Sequence, residues 1–248
     1  MGLGRLKGKV AIITGSTRGI GRAIALAYGE EGAKVVVSGT KSNLCDEVAD
    51  KIRSAGGEAI AVPCNVSKTE DIDRMYAKTL ETWGRVDIAV NNAGVATFKN
   101  FLDMDIETLS GIWNINMYGT YFSAQRAARQ MVKQGGGGKI INMSSIVCET
   151  GQIGLSAYAP TKAAIAMMTK CMALEMAPYK INVNAIGPGT ILTDINRKEL
   201  DFERDQKEIP LGIGQPEDIA GIAIFLATDE ARYMTGHVVF IDGGYNIK

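Results

Sequence analysis

Short apolar, β-branched runs alternate along the chain with longer stretches of helical spacing. Val10-Ala11-Ile12-Ile13 is apolar without interruption, the pattern of a strand covered on both faces. Val35 to Val37, Ala59 to Val62, Val86 to Val90, Lys139 to Asn142, Ile181 to Ile186 and Val238 to Ile241 follow. Helical spacing fills the intervals near residues 20–31, 43–55, 69–83, 105–133, 158–177 and 216–227. Strand and helix in strict alternation predict an α/β fold: a doubly wound parallel sheet with helices on both faces and right-handed crossovers. Gly135 to Gly138 reads as a helix-to-strand joint. Without a proline- or serine-rich linker or an internal repeat, residues 1–248 read as one domain.

Composition narrows the function classes. Lys+Arg and Asp+Glu both number 27, so no basic field marks a nucleic-acid or membrane surface. The longest apolar candidate, Ile219 to Ala227, is too short for a membrane span and reads as a core helix. Met1 to Leu6 lacks the apolar core of a signal peptide, so a cytosolic location is expected. Cys45, Cys64, Cys148 and Cys171 are scattered and His237 is the only histidine. Neither a metal site nor a disulfide framework is expected, and Ser-His-Asp or Cys-His catalysis is disfavoured.

The candidate chemistry sits where strands end. The first strand runs into Gly15-Ser16-Thr17-Arg18-Gly19-Ile20-Gly21 and then a helix. Glycines let the backbone turn tightly and approach a phosphate, and the helix start offers N–H groups and a positive dipole end. The second strand ends at Gly39-Thr40-Lys41, where an acidic residue would repel a 2′-phosphate on the adenosine ribose. Here no carboxylate follows until Asp46, and Thr40, Lys41 and Arg18 supply a hydroxyl and two cations. Sparing a 2′-phosphate that repulsion matters by ~1–4 kcal/mol, so NADP(H) is expected over NAD(H), which stays possible. Asn91-Asn92-Ala93-Gly94 reads either as a crevice lining or as an ordinary turn. Asn116 lies within a helical stretch, where asparagine needs a reason. Ser144 and Ser145 are either turn caps or hydroxyl donors.

Tyr158 and Lys162, four residues apart, share one helix face. A free phenol titrates near ~10, and a nearby positive charge lowers that value. Bringing it to about 7 takes roughly 4 kcal/mol, within reach of one partly buried ammonium and a second positive charge. The pair would then exchange protons near working pH.

Taken together and in this order, these motifs resemble the short-chain dehydrogenase/reductase family. The likeness runs from Lys9 to Gly244 and includes Ser145 thirteen residues before Tyr158, Pro188-Gly189 followed by Thr193, Gly214 to Ala220 and Asp242 to Gly244. It implies a Rossmann fold of seven strands in the order 3-2-1-4-5-6-7. It also implies Tyr158 as general acid and base, and Lys162 as the group that lowers its pKa and holds the nicotinamide ribose. Ser145 would bond the substrate oxygen, and Asn116 would kink its helix and hold a water that connects Lys162 to solvent. Pro188, Gly189, Ile191 and Thr193 would close over the cofactor, and Asn65-Val66 would lie near the adenine, where the family usually carries Asp-Val. A homotetramer through the helices bearing Asn116 and Tyr158 is a further implication. The stripe Ala163, Ile165, Ala166, Met167, Met168, Met172 suits such an interface and core packing equally.

The resemblance implies an NADPH-dependent carbonyl reductase acting on a small molecule, with 3-oxoacyl-carrier-protein reduction as the first expectation. A sugar, polyol or other secondary-alcohol dehydrogenase is the alternative, and a non-catalytic cofactor-binding regulator a different class. The segment from Ile191 to Pro210 is expected to cover the substrate. Its charges, Lys198, Glu199 and Asp201 among them, nearly balance and form no basic landing site for an acidic carrier protein.

Overall fold

In the computed structural model, which describes residues 2–195, 197 and 202–247, each apolar run becomes a strand. The strands are β1 (Val10–Ile13), β2 (Lys34–Val37), β3 (Glu58–Ala61), β4 (Ile88–Asn91), β5 (Gly138–Met143), β6 (Ile181–Pro188) and β7 (Val238–Ile241). They form one sheet of order β3-β2-β1-β4-β5-β6-β7, parallel throughout. Winding outward in both directions from β1 and β4 makes the connections diverge above their carboxyl ends, which opens a crevice there.

The helices are α1 (Gly19–Glu30), α2 (Ser42–Ser54), α3 (Thr69–Trp83), α4 (Ile106–Trp113), α5 (Thr120–Gln134), α6 (Ala159–Met176), α7 (Phe202–Glu208) and α8 (Glu217–Ala227). Strand side chains alternate between faces, so Ala11 and Ile13 pack with Ile24 of α1, Val48 of α2 and Ala223 of α8. Ile12, between them, packs with Ile72 of α3, Ala127 of α5 and Ala173 of α6. The Tyr28 hydroxyl ties α1 to α8 by donating to the Ala223 carbonyl at 2.7 Å.

Three differences from the sequence reading bear on the site. The helix expected over 105–133 is interrupted by a π-helical turn, Asn114–Gly119, between α4 and α5. Periodicity alone misses such a turn, because it is a single short turn flanked by regular helix on both sides. Within the expected covering segment, α7 forms on a polar, charged stretch supported by the Lys207–Glu203 pair. Lys198, Glu199 and Asp201 lie outside the described residues. Finally, the stripe on α6 divides: Ile165 and Met168 are buried in the fold, whereas Met167 is exposed.

Among the described residues no helix is long and apolar enough to cross a membrane. The four cysteines are unpaired.

Candidate active site

A cleft of about 950 Å³ opens at the carboxyl ends of the strands. Gly15, Thr17, Arg18, Gly19, Ile20 and Gly21 form its floor, and Thr40, Lys41, Asn65 and Val66 line one end. Asn92, Ala93 and Gly94 lie at the middle, facing Pro188, Gly189, Ile191 and Thr193. Ser145, Tyr158 and Lys162 line the other end. Motifs spread from Gly15 to Thr193 thus meet in one groove because the topology brings every strand end to the same edge.

The floor is shaped for close approach. Gly15 has φ +65°, a left-handed conformation, and a Cβ there would sit 2.8 Å from the Ala93 Cα. Asn92 Nδ2 braces the turn by donating to the carbonyls of Thr14 and Gly15, both at 3.0 Å. Among the described residues no side chain caps the start of α1, and its N-cap, Arg18, is extended. A helix start presented this way to a groove suits a pyrophosphate, so the donor set fits a nicotinamide dinucleotide. Ser16 departs from the expectation. It is fully buried, donates to the Ile13 carbonyl at 2.8 Å and accepts from the Ser38 N–H at 2.9 Å. It fastens β1 to β2 and does not line the cleft.

At the end of β2, Gly39 is held by packing. A Cβ there would lie 2.8 Å from Thr17 Cγ2, so Thr17 occupies the space an acidic side chain would need. Lys41 is the N-cap of α2, where a cation opposes the helix dipole. Arg18 pairs loosely with Asp194 at 3.7 Å across the groove. Asn65 serves a turn: its Oδ1 accepts from the N–H and hydroxyl of Ser67 at 3.1 and 2.8 Å.

Around Tyr158 burial works against the lowering expected from Lys162 and a second positive charge. Burial pushes the phenol up to about 12, and a hydrogen bond with Ser145 pulls only partly the other way. Burial also pushes the Lys162 ammonium down to about 8. Lys162 Nζ donates to the Met143 carbonyl at 2.8 Å and lies 5.4 Å from the centre of the Tyr158 ring. Desolvation penalises both charged forms and is the largest influence on each.

Asn116 sits behind the cleft wall, fully buried in the π-turn. Its Oδ1 accepts from the Val95 N–H at 2.8 Å, and its Nδ2 donates to the Val95 carbonyl at 2.9 Å and to Thr161 Oγ1 at 3.2 Å. Its side chain therefore braces the wall. Of the paired serines, Ser144 is structural, donating to the Lys162 carbonyl at 2.9 Å. Ser145 both lines the cleft and caps the turn at Ile146–Cys148.

The sequence reading missed the substrate-side walls. Phe98, Ile146, Val147 and Leu155 form an apolar wall beside Tyr158, and Tyr245 reaches it from the C-terminal segment. No motif marks these positions, although Tyr245 directly follows the Asp242-Gly243-Gly244 stretch noted above.

A Rossmann sheet with this glycine floor and these converging side chains defines a dinucleotide-linked oxidoreductase. The family model described as Enoyl-(Acyl carrier protein) reductase matches residues 15–246. The chain is 42% identical over 245 residues to an L-rhamnose 1-dehydrogenase (NAD(P)(+)) of Azotobacter vinelandii, covering 95% of this chain and 96% of that one. It is 38% identical over 244 residues to a 3-oxoacyl-[acyl-carrier-protein] reductase of Aquifex aeolicus, covering 97% and 98%. A crystal structure of a short-chain type dehydrogenase/reductase from Mycobacterium marinum superposes with a TM-score of 0.96 at 40% identity, covering 99% and 98%. The chain belongs to the short-chain dehydrogenase/reductase family, whose members use NAD(P)(H) and act on CH–OH groups.

Proposed function

We propose that this enzyme interconverts an alcohol and a carbonyl on a sugar or polyol, with NADP(H) as the preferred cofactor. In this reading Tyr158 exchanges the proton with the substrate oxygen, Ser145 bonds that oxygen, and Lys162 supplies positive charge and holds the nicotinamide ribose. When bound, the oxidised dinucleotide supplies the hydride acceptor and a second positive charge beside the phenol. Two cations acting on one buried phenol favour the phenolate in a way that Lys162 alone does not. The observation that carries the reading is the convergence of Ser145, Tyr158 and Lys162 on one end of a groove whose other end is a phosphate-shaped glycine floor.

The substrate class rests on the cleft rim and on the relatives. Arg204 pairs with Asp205 at 2.8 Å and Arg18 with Asp194 at 3.7 Å, so these two arginines of the cleft are matched by carboxylates. An acidic carrier protein gains little from such a surface. Gln152, Thr190, Asp205 and Glu208 give the lining hydrogen-bonding groups suited to hydroxyls. The Azotobacter vinelandii relative is named for L-rhamnose oxidation. Reduction of a 3-oxoacyl thioester is the second reading, favoured by the apolar wall of Phe98, Ile146, Val147 and Leu155. Initial rates followed by nicotinamide absorbance separate the two: aldoses and polyols with NADP⁺ should turn over faster than acetoacetyl thioesters with NADPH. The reverse order would favour the thioester reading.

The cofactor preference rests on the N-terminus of α2. Lys41 has no side-chain partner among the described residues and stands at a helix start that attracts anions. Lys41→Ala is expected to raise the KM for NADPH roughly tenfold, the loss of one charge-assisted bond, and to leave that for NADH within about twofold. Equal changes for both cofactors would remove Lys41 from 2′-phosphate recognition. The residues assigned to the cofactor, Ser16 set aside, complete a single domain that we read as spanning the chain. The exposed Tyr118, Tyr121, Met167 and Leu174 support assembly through α5 and α6, a tetramer in this reading.

A further inference from the structure

Thr161 lies between Tyr158 and Lys162 and takes no part in the chemistry above. It is fully buried. Its hydroxyl donates to the Tyr158 carbonyl at 2.7 Å, and its backbone N–H donates to the same oxygen at 3.0 Å. With its one proton committed there, the hydroxyl can only accept from any other neighbour. That neighbour is Asn116, whose Nδ2 donates to it at 3.2 Å.

This polarity fixes the Asn116 amide. Its two N–H donors go to Thr161 and to the Val95 carbonyl, and its oxygen accepts the Val95 N–H. Rotating the amide by half a turn would set its oxygen against two acceptors and its donors against the Val95 N–H, which is unfavourable at every contact. The orientation matters for Lys162 because the two side chains border one gap. A Cβ on Gly94 would lie 3.3 Å from Asn116 Oδ1 and 3.7 Å from Lys162 Nζ. A carbonyl dipole facing that gap favours the ammonium, and an NH₂ group facing it opposes it. Among the described residues the Lys162 ammonium also meets the Met143 carbonyl on β5 and the Tyr158 ring at the start of its own helix. Tyr158 is the titratable group against it.

We infer that Thr161 is a positioning residue: its hydroxyl, polarised by the Tyr158 carbonyl, locks the Asn116 amide with its oxygen on the Val95 N–H, beside the gap that Lys162 borders. This rests on reading Tyr158 and Lys162 as the reacting pair.

Thr161→Val keeps the shape and removes the acceptor, and Thr161→Ser keeps the acceptor and removes the methyl. The Val variant is expected to lose about 10- to 100-fold in kcat with KM and dinucleotide affinity nearly unchanged. The alkaline limb of its kcat profile should move to lower pH, since the ammonium loses a facing dipole. The Ser variant should stay within about threefold of wild type, with the limb in place. Amide hydrogen exchange across residues 114–119 needs no turnover, and it should quicken in Val and not in Ser. Failure of the catalytic reading would appear separately, as unchanged activity in Tyr158→Phe. A Val variant with wild-type kcat, pH limb and exchange would overturn the inference. So would a Ser variant as damaged as Val, which would assign the effect to methyl packing.

Discussion

Replacing Tyr158 with phenylalanine is expected to lower kcat/KM by about a thousandfold or more, while the dinucleotide Kd changes by less than about threefold. The asymmetry follows from where the hydroxyl sits. The ring packs against the apolar cluster of Ile146, Val147 and Leu155, and phenylalanine preserves that packing. The hydroxyl faces Ser145, at the end of the groove away from the glycine floor. Removing it deletes the proton donor and leaves the phosphate contacts intact. Steady-state rates and a fluorescence titration with NADPH check the two halves separately. A variant with near-normal turnover would take Tyr158 out of the mechanism. A variant that no longer binds cofactor would mean that the hydroxyl is structural.

Lys162→Met is expected to abolish turnover and yet raise thermal stability at neutral pH. Burial lowers the ammonium from the ordinary 10.5 to about 8, so folding works against its protonation. That lowering corresponds to about 3 kcal/mol of destabilisation, in full below pH 8. Between pH 8 and 10.5 the unfolded chain binds the proton and the folded chain does not, so stability rises with pH across that window. Above 10.5 neither form is charged and the cost disappears. Methionine removes the cost, but it strands the Met143 carbonyl that Lys162 now satisfies, at roughly 1 kcal/mol. The net gain of about 1–2 kcal/mol should appear as a Tm increase of roughly 3–6 °C at pH 7, shrinking toward pH 10. Differential scanning calorimetry across that range tests it. A pH-independent difference, or a lower Tm at pH 7, would show that Lys162 is fully charged at no cost in the fold.

Much of this was legible in the sequence. Buried parallel strands write themselves as unbroken apolar runs, and Val10 to Ile13 and Val35 to Val37 could be read directly. The residues at strand ends could be read as well, because Gly15, Asn92, Ser145 and Tyr158 belong to spaced motifs. Direction was harder. Ser16 and Thr17 are neighbours in the same turn, and only the backbone path decides that Ser16 faces inward and Thr17 outward. The sign of the Tyr158 shift was also beyond spacing, since it depends on burial weighed against charge. The π-turn at Asn116 left no periodic trace. Nor did α7, whose polar surface shows no apolar stripe, or the substrate wall, whose apolar residues look like core.

The central claim is that this cleft moves a hydride between a substrate carbon and a nicotinamide while Tyr158 handles the proton. Incubating the enzyme with NADP⁺ and an aldose deuterated at the carbon to be oxidised, followed by mass spectrometry of the cofactor, tests it most directly. The account predicts one deuterium in the reduced cofactor with wild type and none with Tyr158→Phe. Tight cofactor binding with no label transferred from any deuterated aldose, polyol or secondary alcohol would contradict it.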